Sequence, residues 1–494
     1  MDAGGPCQRP GLGSANRQFV PHLWHSAGGS VGLSNSKWLW LALAALLGIA
    51  IVMLPSPAGL SRTAQLILGL TAFTVVLWSF QVLNNGVASV LMMALMVLAG
   101  VRPPMLFSGF ASPGLWILVC VLFYGFAMQR TGLAQRLAYH ILALFPGTYA
   151  GILCAFGVMG LTLALGIPSM TVRTAIMVPI AWALVQSTGL LPHSRGAALI
   201  MLTAFEMAVI PGCAFLYGSL MGPILETAFR VKHIPLSWLG YARVVTFPTL
   251  LLCLLLIGVN QLVLRPESPL KIGHAFARTR LTDLGRFQRS EWITALVVGL
   301  SIVYWATDSL HHLPSFLPGM LGLAVLAFTG VVRDQDIGGG VSWTLILFMG
   351  GIFSLANVLP EYKITDWLAG YLVPAASRLT FSPLALVMAL ALATYAMRFL
   401  DPSSLLALPL LFLPISDLTT AAGIPPLVVA APLIVASVPF WLSYQNIWVA
   451  MTEGITRGEA FTSRQRLLLA NTYAGGALAA LAATVVVWKL MGIL

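Results

Sequence analysis

The stretch AGILCAFGVMGLTLALGIPSMTVRTAIMVPIAWALVQ, residues 150–186, is apolar over almost its whole length but is interrupted near its middle. The interruption reads Ile167-Pro168-Ser169-Met170-Thr171. Because proline lacks a backbone N–H and serine is a preferred residue at a helix start, one helix is predicted to end here and another to begin. We expect two half-length arms, as in a hairpin that dips into a membrane and returns to the same side. Such a turn is tolerated only where it packs in protein or lines a cavity.

A second apolar stretch, residues 383–421, is interrupted in a similar way by Asp401-Pro402-Ser403-Ser404. After each interruption the chain runs through a Pro-Ile pair to a Gly-apolar-Pro turn, and Pro179 and Pro414 lie 235 residues apart. With an odd number of crossings between them, two such units face opposite ways. The pattern therefore predicts an inverted repeat, which is common in secondary transporters.

The composition excludes a soluble enzyme. The 494 residues are 59% hydrophobic and 8% charged, with a mean hydropathy of +0.91, whereas an ordinary soluble domain has roughly a quarter charged residues. Apolar runs of about 20 residues, long enough to cross a ~30 Å hydrocarbon core, recur from Trp38 to the C-terminus. The predicted fold class is an all-α polytopic membrane protein with about 11 transmembrane helices and two re-entrant hairpins.

Four parts follow along the chain. They are a polar tail predicted to be disordered (1–36), a first repeat with scaffold helices and the first hairpin (37–264), a basic cytoplasmic linker (265–290) and a second repeat with the second hairpin (291–494). With the N-terminus in the cytoplasm, sixteen of the 26 Lys and Arg residues lie inside and seven outside, as the positive-inside rule requires. This dispersal explains the net charge of +11 without a nucleic acid partner. We expect an integral protein of the cell (inner) membrane.

The first interruption offers an anion site. Ser169 is placed to cap the second arm, whose free N–H groups and positive dipole end would point into the bilayer. The hydroxyl of Thr171 adds a further donor. Arg173 follows within the first turn, and a charge inside a membrane segment is a functional candidate by default. We predict that Arg173 is the principal positive charge for the substrate; the alternative is a packing role through a salt bridge or snorkelling.

The second interruption places two oppositely charged residues, Arg398 and Asp401, close together in the sequence. Asp401 before Pro402 has the pattern of a cap followed by a first-turn proline, and Arg398 lies three residues away, where the two charges can neutralise each other. A structural pair is one interpretation. The other is that Asp401 carries a proton, since a carboxyl group near mid-membrane tends to hold one unless it is paired.

Two breaks in later spans complete the candidate site. Pro211-Gly212 with Gly218-Ser219 interrupts the fifth predicted span, residues 197–228, and Ser443-Tyr444-Gln445-Asn446 interrupts the tenth, residues 425–452. Broken spans expose carbonyl and amide groups at mid-membrane, where ions and substrates are coordinated. Ser169, Gly212, Gly218, Ser219 and Asp401 are therefore the candidates for cation or proton coupling.

The sequence does not indicate further proton carriers, a phosphate-binding loop or a zinc site. Glu206 and Asp417 fall in apolar surroundings and are interpreted as satisfied polar contacts rather than proton carriers. The chain has neither a G-x-x-x-x-G-K-[ST] phosphate loop nor an H-E-x-x-H zinc pair. We predict a protein that is not an enzyme and that needs no cofactor apart from a sodium ion, if one is used.

From about Gly59 to Gly492 the sequence resembles the divalent anion:sodium symporter family. The resemblance includes Arg130-Thr131-Gly132-Leu133-Ala134-Gln135-Arg136, Leu284-Gly285 with Glu291, and the segment from Trp343 to Leu355. The family has Ser-Asn-Thr at each hairpin tip, ten residues before a Pro-Ile. Here Ser169-Met170-Thr171 keeps the serine and the threonine, and Arg173 is similar to an arginine of the family's carboxylate exchangers.

The resemblance implies substrate-binding roles for several residues: Ser169, Met170, Thr171, Arg173, Ser403, Ser404 and Asn446. At the second tip the pattern is eroded, since Ser403 or Ser404 is followed by Leu405 and Leu406, and the later Pro-Pro-Asn keeps only Asn446. These losses predict transport that does not depend strongly on sodium.

The function expected from the resemblance is that of a dimeric secondary permease for small organic anions, di- or tricarboxylates, which works by an elevator mechanism in the lipid bilayer. Exchange or cation coupling would drive it. Two alternatives remain open at this point. One is a permease for an inorganic anion or oxyanion such as sulfate or arsenite, and the other is a membrane sensor or enzyme that reuses the fold without transport.

Overall fold

A computed structural model describes residues 35–270, 275–371, 382–399 and 408–494. The predictions for the tail up to residue 34, for residues 271–274 of the linker and for Asp401, Ser403 and Ser404 lie outside the described residues. Every regular element in the described ranges is helical.

In the first half, thirteen α-helices occupy the chain from residue 35 to residue 283. They are α1 (Asn35–Met53), α2 (Arg62–Ser79), α3 (Asn85–Leu98), α4 (Pro103–Phe107), α5 (Pro113–Thr131), α6 (Leu133–Leu144), α7 (Tyr149–Gly166), α8 (Met170–Ser187), α9 (Arg195–Val209), α10 (Met221–Val231), α11 (Trp238–Tyr241), α12 (Phe247–Val263) and α13 (Ala275–Asp283). A 3₁₀ turn at Ile210–Ala214 follows α9, and a π-helical turn at Ala242–Thr246 precedes α12.

The second half has the following helices. They are α14 (Arg289–Ala306), α15 (Asp308–His311), α16 (Leu317–Phe328), α17 (Asp334–Gly339), α18 (Trp343–Glu361), α19 (Pro383–Met397), α20 (Leu413–Ala421), α21 (Pro426–Val435), α22 (Ile447–Ile455) and α23 (Ser463–Leu490). A further helical segment occupies residues 364–371, a π-helical turn at Leu408–Phe412 precedes α20, and a 3₁₀ turn at Ser443–Gln445 precedes α22.

Hydroxyl side chains set where the membrane helices begin. Ser61, Ser112, Thr148, Ser169 and Ser194 each accept a hydrogen bond from a backbone N–H in the first turn of the helix that follows. Such a cap satisfies a donor that has no partner within the helix. The predicted capping role of Ser169 is confirmed.

Nine helical segments in the described ranges are long and apolar enough to cross a membrane, and four shorter apolar helices have 10–17 residues. The nine include both α7 and α8, which have 18 residues each. At 1.5 Å per residue each is about 27 Å long. The expectation of half-length arms is therefore wrong here, because the interruption takes only residues 167–169 out of the apolar stretch. The return of α8 to the same side remains a prediction.

The same packing pattern occurs twice along the chain. In the first half, α9 packs against both α7 and α8, and α12 packs against α7. In the second half, α21 packs against both α19 and α20, and α23 packs against α19. The terminal helices of the two halves, α12 and α23, pack against each other. This recurrence agrees with two structural repeats, while their inversion and the four domain boundaries remain predictions.

A buried ion pair ties α6 to the start of α14. Arg136 Nε donates to Glu291 Oε1 over 2.7 Å and Arg136 Nη2 donates to Glu291 Oε2 over 3.2 Å, while its other N–H groups reach the carbonyl oxygens of residues 284–286. The two side chains are 8% and 3% exposed. The pair therefore brings together two of the segments on which the family resemblance rests.

Glu267, in the segment that leaves α12, acts at the start of α9. Its carboxylate accepts hydrogen bonds from the backbone N–H groups of Arg195, over 2.8 Å, and Gly196, over 3.3 Å. Burial alone would raise the pKa of the Glu267 carboxyl, but these bonds and the nearby Arg195 charge hold that pKa below its ordinary value. The carboxylate therefore stabilises this helix start in its ionised form.

Candidate functional site

The break between α7 and α8 forms the centre of the site. Ile167, at the end of α7, has the extended angles φ −127° and ψ 94°, and Ser169 has φ −87° and ψ 109°. The hydroxyl of Ser169 accepts a hydrogen bond from Val172 N over 3.3 Å. An extended turn of this kind separates two helices and leaves the first N–H groups of the second without helical partners.

Arg173 lies in a cage of backbone carbonyl oxygens. Its side chain is fully buried. Arg173 Nε donates to Ala208 O over 2.7 Å, Nη1 donates to Gly218 O over 2.7 Å and to Ile167 O, and Nη2 donates to Val209 O over 3.3 Å. The four acceptors come from the first interruption and from both sides of the broken fifth span. The guanidinium group therefore connects the break between α7 and α8 with the break between α9 and α10.

The glycines of the broken span make room for this cage. A Cβ atom at Gly212 would lie 2.1 Å from Arg173 Nη2 and 2.6 Å from Gly218 O. Every side chain larger than hydrogen would therefore displace the guanidinium group. Ser219 is buried beside this segment. The structure thus brings together four of the five residues predicted for cation or proton coupling, namely Ser169, Gly212, Gly218 and Ser219.

A cavity of about 400 Å³ adjoins the first tip, which comprises residues 169–171 at the start of α8. It is lined by residues 169–172 at the start of α8, residues 220–221 before and in α10, and residues 447–448 at the start of α22. The other lining residues are Trp78, Gln81 and Asn85, then Leu122, Phe126 and Gln129 of α5, and Gly340, Val341, Ser342, Thr344, Leu345 and Phe348 before and in α18. A concave space of this size is in the usual range for small-molecule sites, roughly 300–1,000 Å³.

Side-chain bonds connect the two halves of the chain at the cavity, and one of them, between Asn84 Nδ2 and Thr344 Oγ1, has a length of 3.0 Å. Trp448 Nε1 donates to Thr171 Oγ1 over 3.0 Å. Asn446 caps the helix of Trp448, because its Oδ1 accepts from Trp448 N over 3.1 Å and from Val449 N over 3.2 Å. Asn446 therefore supports the cavity wall instead of lining it.

A second buried arginine repeats the arrangement of Arg173. Arg398, at the end of α19, is 1% exposed and donates through Nη2 to Gln445 O in the break before α22. Each half thus has an arginine that crosses from its interrupted stretch to its broken span. The predicted pairing of Arg398 with Asp401 involves a residue outside the described ranges.

The predicted substrate-binding residues of the first interruption differ in whether they line the cavity. Ser169, Met170 and Thr171 line the cavity, but Arg173 is not among its lining residues, and its direct contact with substrate remains a prediction. The alternative of a salt bridge is wrong for the described residues, since all four bonds of Arg173 go to carbonyl groups. The packing role was predicted, but its partners, which are backbone carbonyl groups, were not.

Glu206 lies deep in α9 and away from the cavity. It is fully buried, and its Oε2 accepts from Asn260 Nδ2 over 2.6 Å. Asn260 also donates to Thr203 over 3.1 Å and accepts from Thr472 over 2.9 Å. The interpretation of Glu206 as a satisfied polar contact is therefore met at Oε2 only, because Oε1 is buried without a hydrogen-bond partner among the described residues.

Three polar residues of the cavity wall were not predicted from the sequence. Gln81, Asn85 and Gln129 line it, and uncharged amide side chains within or beside apolar spans were the signal that could have found them. Trp448 was missed because a tryptophan in an apolar helix is indistinguishable from a lipid-facing one.

Long apolar helices, two broken spans and a cavity at a helix start define a polytopic membrane transporter. The profile described as "Sodium:sulfate symporter transmembrane region" matches residues 35–445. The chain therefore belongs to this family, the divalent anion:sodium symporters, and it is an anion transporter and not an enzyme.

Individual relatives agree with this assignment. The chain is 24% identical over 402 residues to "Dicarboxylate transporter 1, chloroplastic" of Spinacia oleracea, which covers 78% of this chain and 70% of the relative. It is 24% identical over 352 residues to "Inner membrane protein YbhI" of Escherichia coli (strain K12), which covers 68% and 73%. The crystal structure of the Alcanivorax borkumensis YdaH transporter matches with a TM-score of 0.54 at 15% identity, over 92% of this chain and 97% of that one. That last likeness concerns the fold alone.

Proposed function

We propose that the chain is a secondary active transporter of small organic dianions, chiefly dicarboxylates, and that it exchanges one dianion for another without sodium. The substrate class is supported by the dicarboxylate transporters among its relatives. The "Inner membrane protein" among the bacterial relatives supports a location in the inner membrane.

The observation that carries the exchange proposal is the carbonyl cage around Arg173. Carbonyl oxygens of unwound segments are the ligands that transporters use for sodium. Here four such oxygens, from residues 167, 208, 209 and 218, accept hydrogen bonds from one guanidinium group. A sodium ion in the same cage would meet a fixed positive charge at close range, which opposes its binding. The protein supplies its own cation at the first tip.

Exchange also meets the energetic need of a dianion. Two negative charges that enter an inside-negative cell at 100 mV meet about 2 × 2.3 kcal/mol of opposing potential. One dianion that leaves as another enters moves no net charge. Exchange therefore allows uptake without a coupling cation.

The arrangement of the cavity supports an elevator mechanism in a dimer. The cavity is lined by a first group of elements, α8 and α22, which pack against each other, and by a second group, α2, α3, α5, α10 and α18, in which α10 packs against α5 and α18. Movement of the first group along the second would carry a bound anion across the membrane. The second group is then the scaffold through which two copies would associate.

The test is uptake of radiolabelled malate into proteoliposomes that contain either unlabelled malate or buffer. We expect uptake only with internal malate, at equal rates in sodium chloride and choline chloride. A steep loss of rate in choline would contradict the exchange proposal. Uptake that is indifferent to internal malate would contradict it as well.

A second candidate function is sulfate transport, which the description of the family profile favours. The mainly apolar cavity argues against it, because a desolvated sulfate needs donors on every side. Competition separates the two: unlabelled sulfate in tenfold excess should leave malate exchange almost unchanged.

A further inference from the structure

The walls of the cavity are mostly apolar. Of the twenty lining residues that the structure describes, twelve are apolar, one is glycine, seven are polar but uncharged, and none is ionisable. Trp78, Phe126, Phe348 and Trp448 give the walls four aromatic rings. A wall that is apolar at more than half of its residues favours an apolar group over a carboxylate, since an unpaired carboxylate away from water is costly.

Two of the seven polar residues, Ser169 and Thr171, lie at the start of α8, and the other five lie elsewhere on the wall, namely Gln81, Asn85, Gln129, Ser342 and Thr344. The hydroxyls of Ser169 and Thr171 each accept a hydrogen bond, from Val172 N and from Trp448 Nε1. Neither hydroxyl donates a bond to any other described residue. A hydroxyl has one proton to donate in addition to its acceptor positions, so both protons are available to an anion at the start of α8.

Beyond the start of α8 the wall is mainly apolar: of its sixteen other lining residues, ten are apolar, five are polar and one is glycine. Met170 lies between the two hydroxyl residues and lines the cavity, where the family pattern has an amide. Trp78 and Phe348 also line the cavity, and their ring centroids lie 5.1 Å apart at an interplanar angle of 78°. Rings in edge-to-face contact offer both faces and edges to a further aromatic group.

We infer that the anion that this transporter prefers carries an apolar, and best an aromatic, body beside its carboxylates. This inference rests on the proposed function and specifies its substrate class. The tip binds a carboxylate through Ser169, Thr171 and the start of α8. Met170 and the walls formed by α5 and α18 bind the apolar body, which unsubstituted succinate and malate lack.

The test compares succinate with 2-methyl-, 2-propyl- and 2-benzylsuccinate, which have the same two carboxylates and a growing apolar group. Each compound competes with radiolabelled succinate for uptake into proteoliposomes, and each is also scored by thermal stabilisation of the purified protein. We expect the inhibition constant to fall about fourfold per buried methylene. Constants that stay level or rise would overturn the inference and leave dicarboxylate exchange intact. Absence of succinate uptake would instead sink the proposed function, while the stabilisation order would still decide the inference.

Two leucines of α18 provide a matched pair of variants. Leu345 and Leu347 are both half-buried, but only Leu345 lines the cavity. Leu345→Ala should reduce the preference for benzylsuccinate over succinate at least threefold, and Leu347→Ala should leave that preference unchanged. An equal change in both variants would overturn the assignment of this wall to the apolar body. Met170→Asn should shift the preference in the same direction as Leu345→Ala.

Discussion

Replacing Arg173 by alanine should turn the carbonyl cage into a sodium site. The change leaves four buried carbonyl oxygens without the guanidinium donors that they have now. Each unpaired buried group costs about 1–3 kcal/mol, so the loss amounts to about 4–12 kcal/mol, a large part of a typical folding free energy of about 5–15 kcal/mol. A small cation that enters the vacated space would recover much of this loss.

The assay is a thermal melt of purified protein in sodium chloride and in choline chloride at equal ionic strength. Arg173→Ala should melt well below the unmodified protein in choline and should regain stability as sodium rises. Arg173→Lys should fall between the two, because an ammonium group donates at most three bonds. Arg243→Ala changes an exposed arginine of the π-helical turn and serves as the control. A melting temperature that does not respond to sodium in Arg173→Ala would refute the reasoning.

The same melts also test the substrate role that the sequence predicts for Arg173. Loss of stabilisation by dicarboxylates in Arg173→Ala, with the protein folded in sodium, would support a contribution of its charge to the anion site. Retained stabilisation would restrict Arg173 to positioning the two breaks. Both outcomes are read at a fixed sodium concentration, so that folding and binding are separated.

Three further outcomes follow from the packing. Gly212→Ala should lower the yield of folded protein in size-exclusion profiles, because its Cβ would lie 2.6 Å from the backbone oxygen of Gly218 and would displace the guanidinium group of Arg173, whereas Gly258→Ala, with nothing within 4 Å, should behave as the parent. Arg136→Met should cost about 3–5 kcal/mol in stability by leaving Glu291 buried alone, and adding Glu291→Leu should recover most of it. Glu267→Gln should lower the melting temperature at neutral pH; since the folded pKa is depressed, the difference should vanish as pH falls through it.

The local structure around the first tip could be predicted from the sequence because it depends on neighbours along the chain. Pro168 ends one helix and Ser169 begins the next, whatever surrounds them. The lengths of the arms were misjudged, since the apolar stretch on each side of the break is long enough for a complete helix. Propensity and hydropathy define where helices begin and end more reliably than where they lie in a bilayer.

The partners of Arg173 could not be predicted in the same way. A buried arginine in a membrane segment has the same sequence signature whether it binds a substrate, a carboxylate or backbone carbonyls. The choice depends on residues 208–218, which come close only after the chain has folded. The bond between Trp448 and Thr171 spans 277 residues, and no local pattern contains information about it.

That bond has a consequence for how the sequence can drift among descendants of this gene. Thr171 and Trp448 form one donor–acceptor pair across two repeats, so a change at either position alters the value of the other. Lineages that replace the indole by a residue without an N–H lose one reason to retain the threonine hydroxyl. Lineages that keep the indole should reject valine at position 171, although valine has nearly the same shape. The two positions should therefore vary together, and their covariation would record a mechanical link between the halves that neither repeat possesses alone.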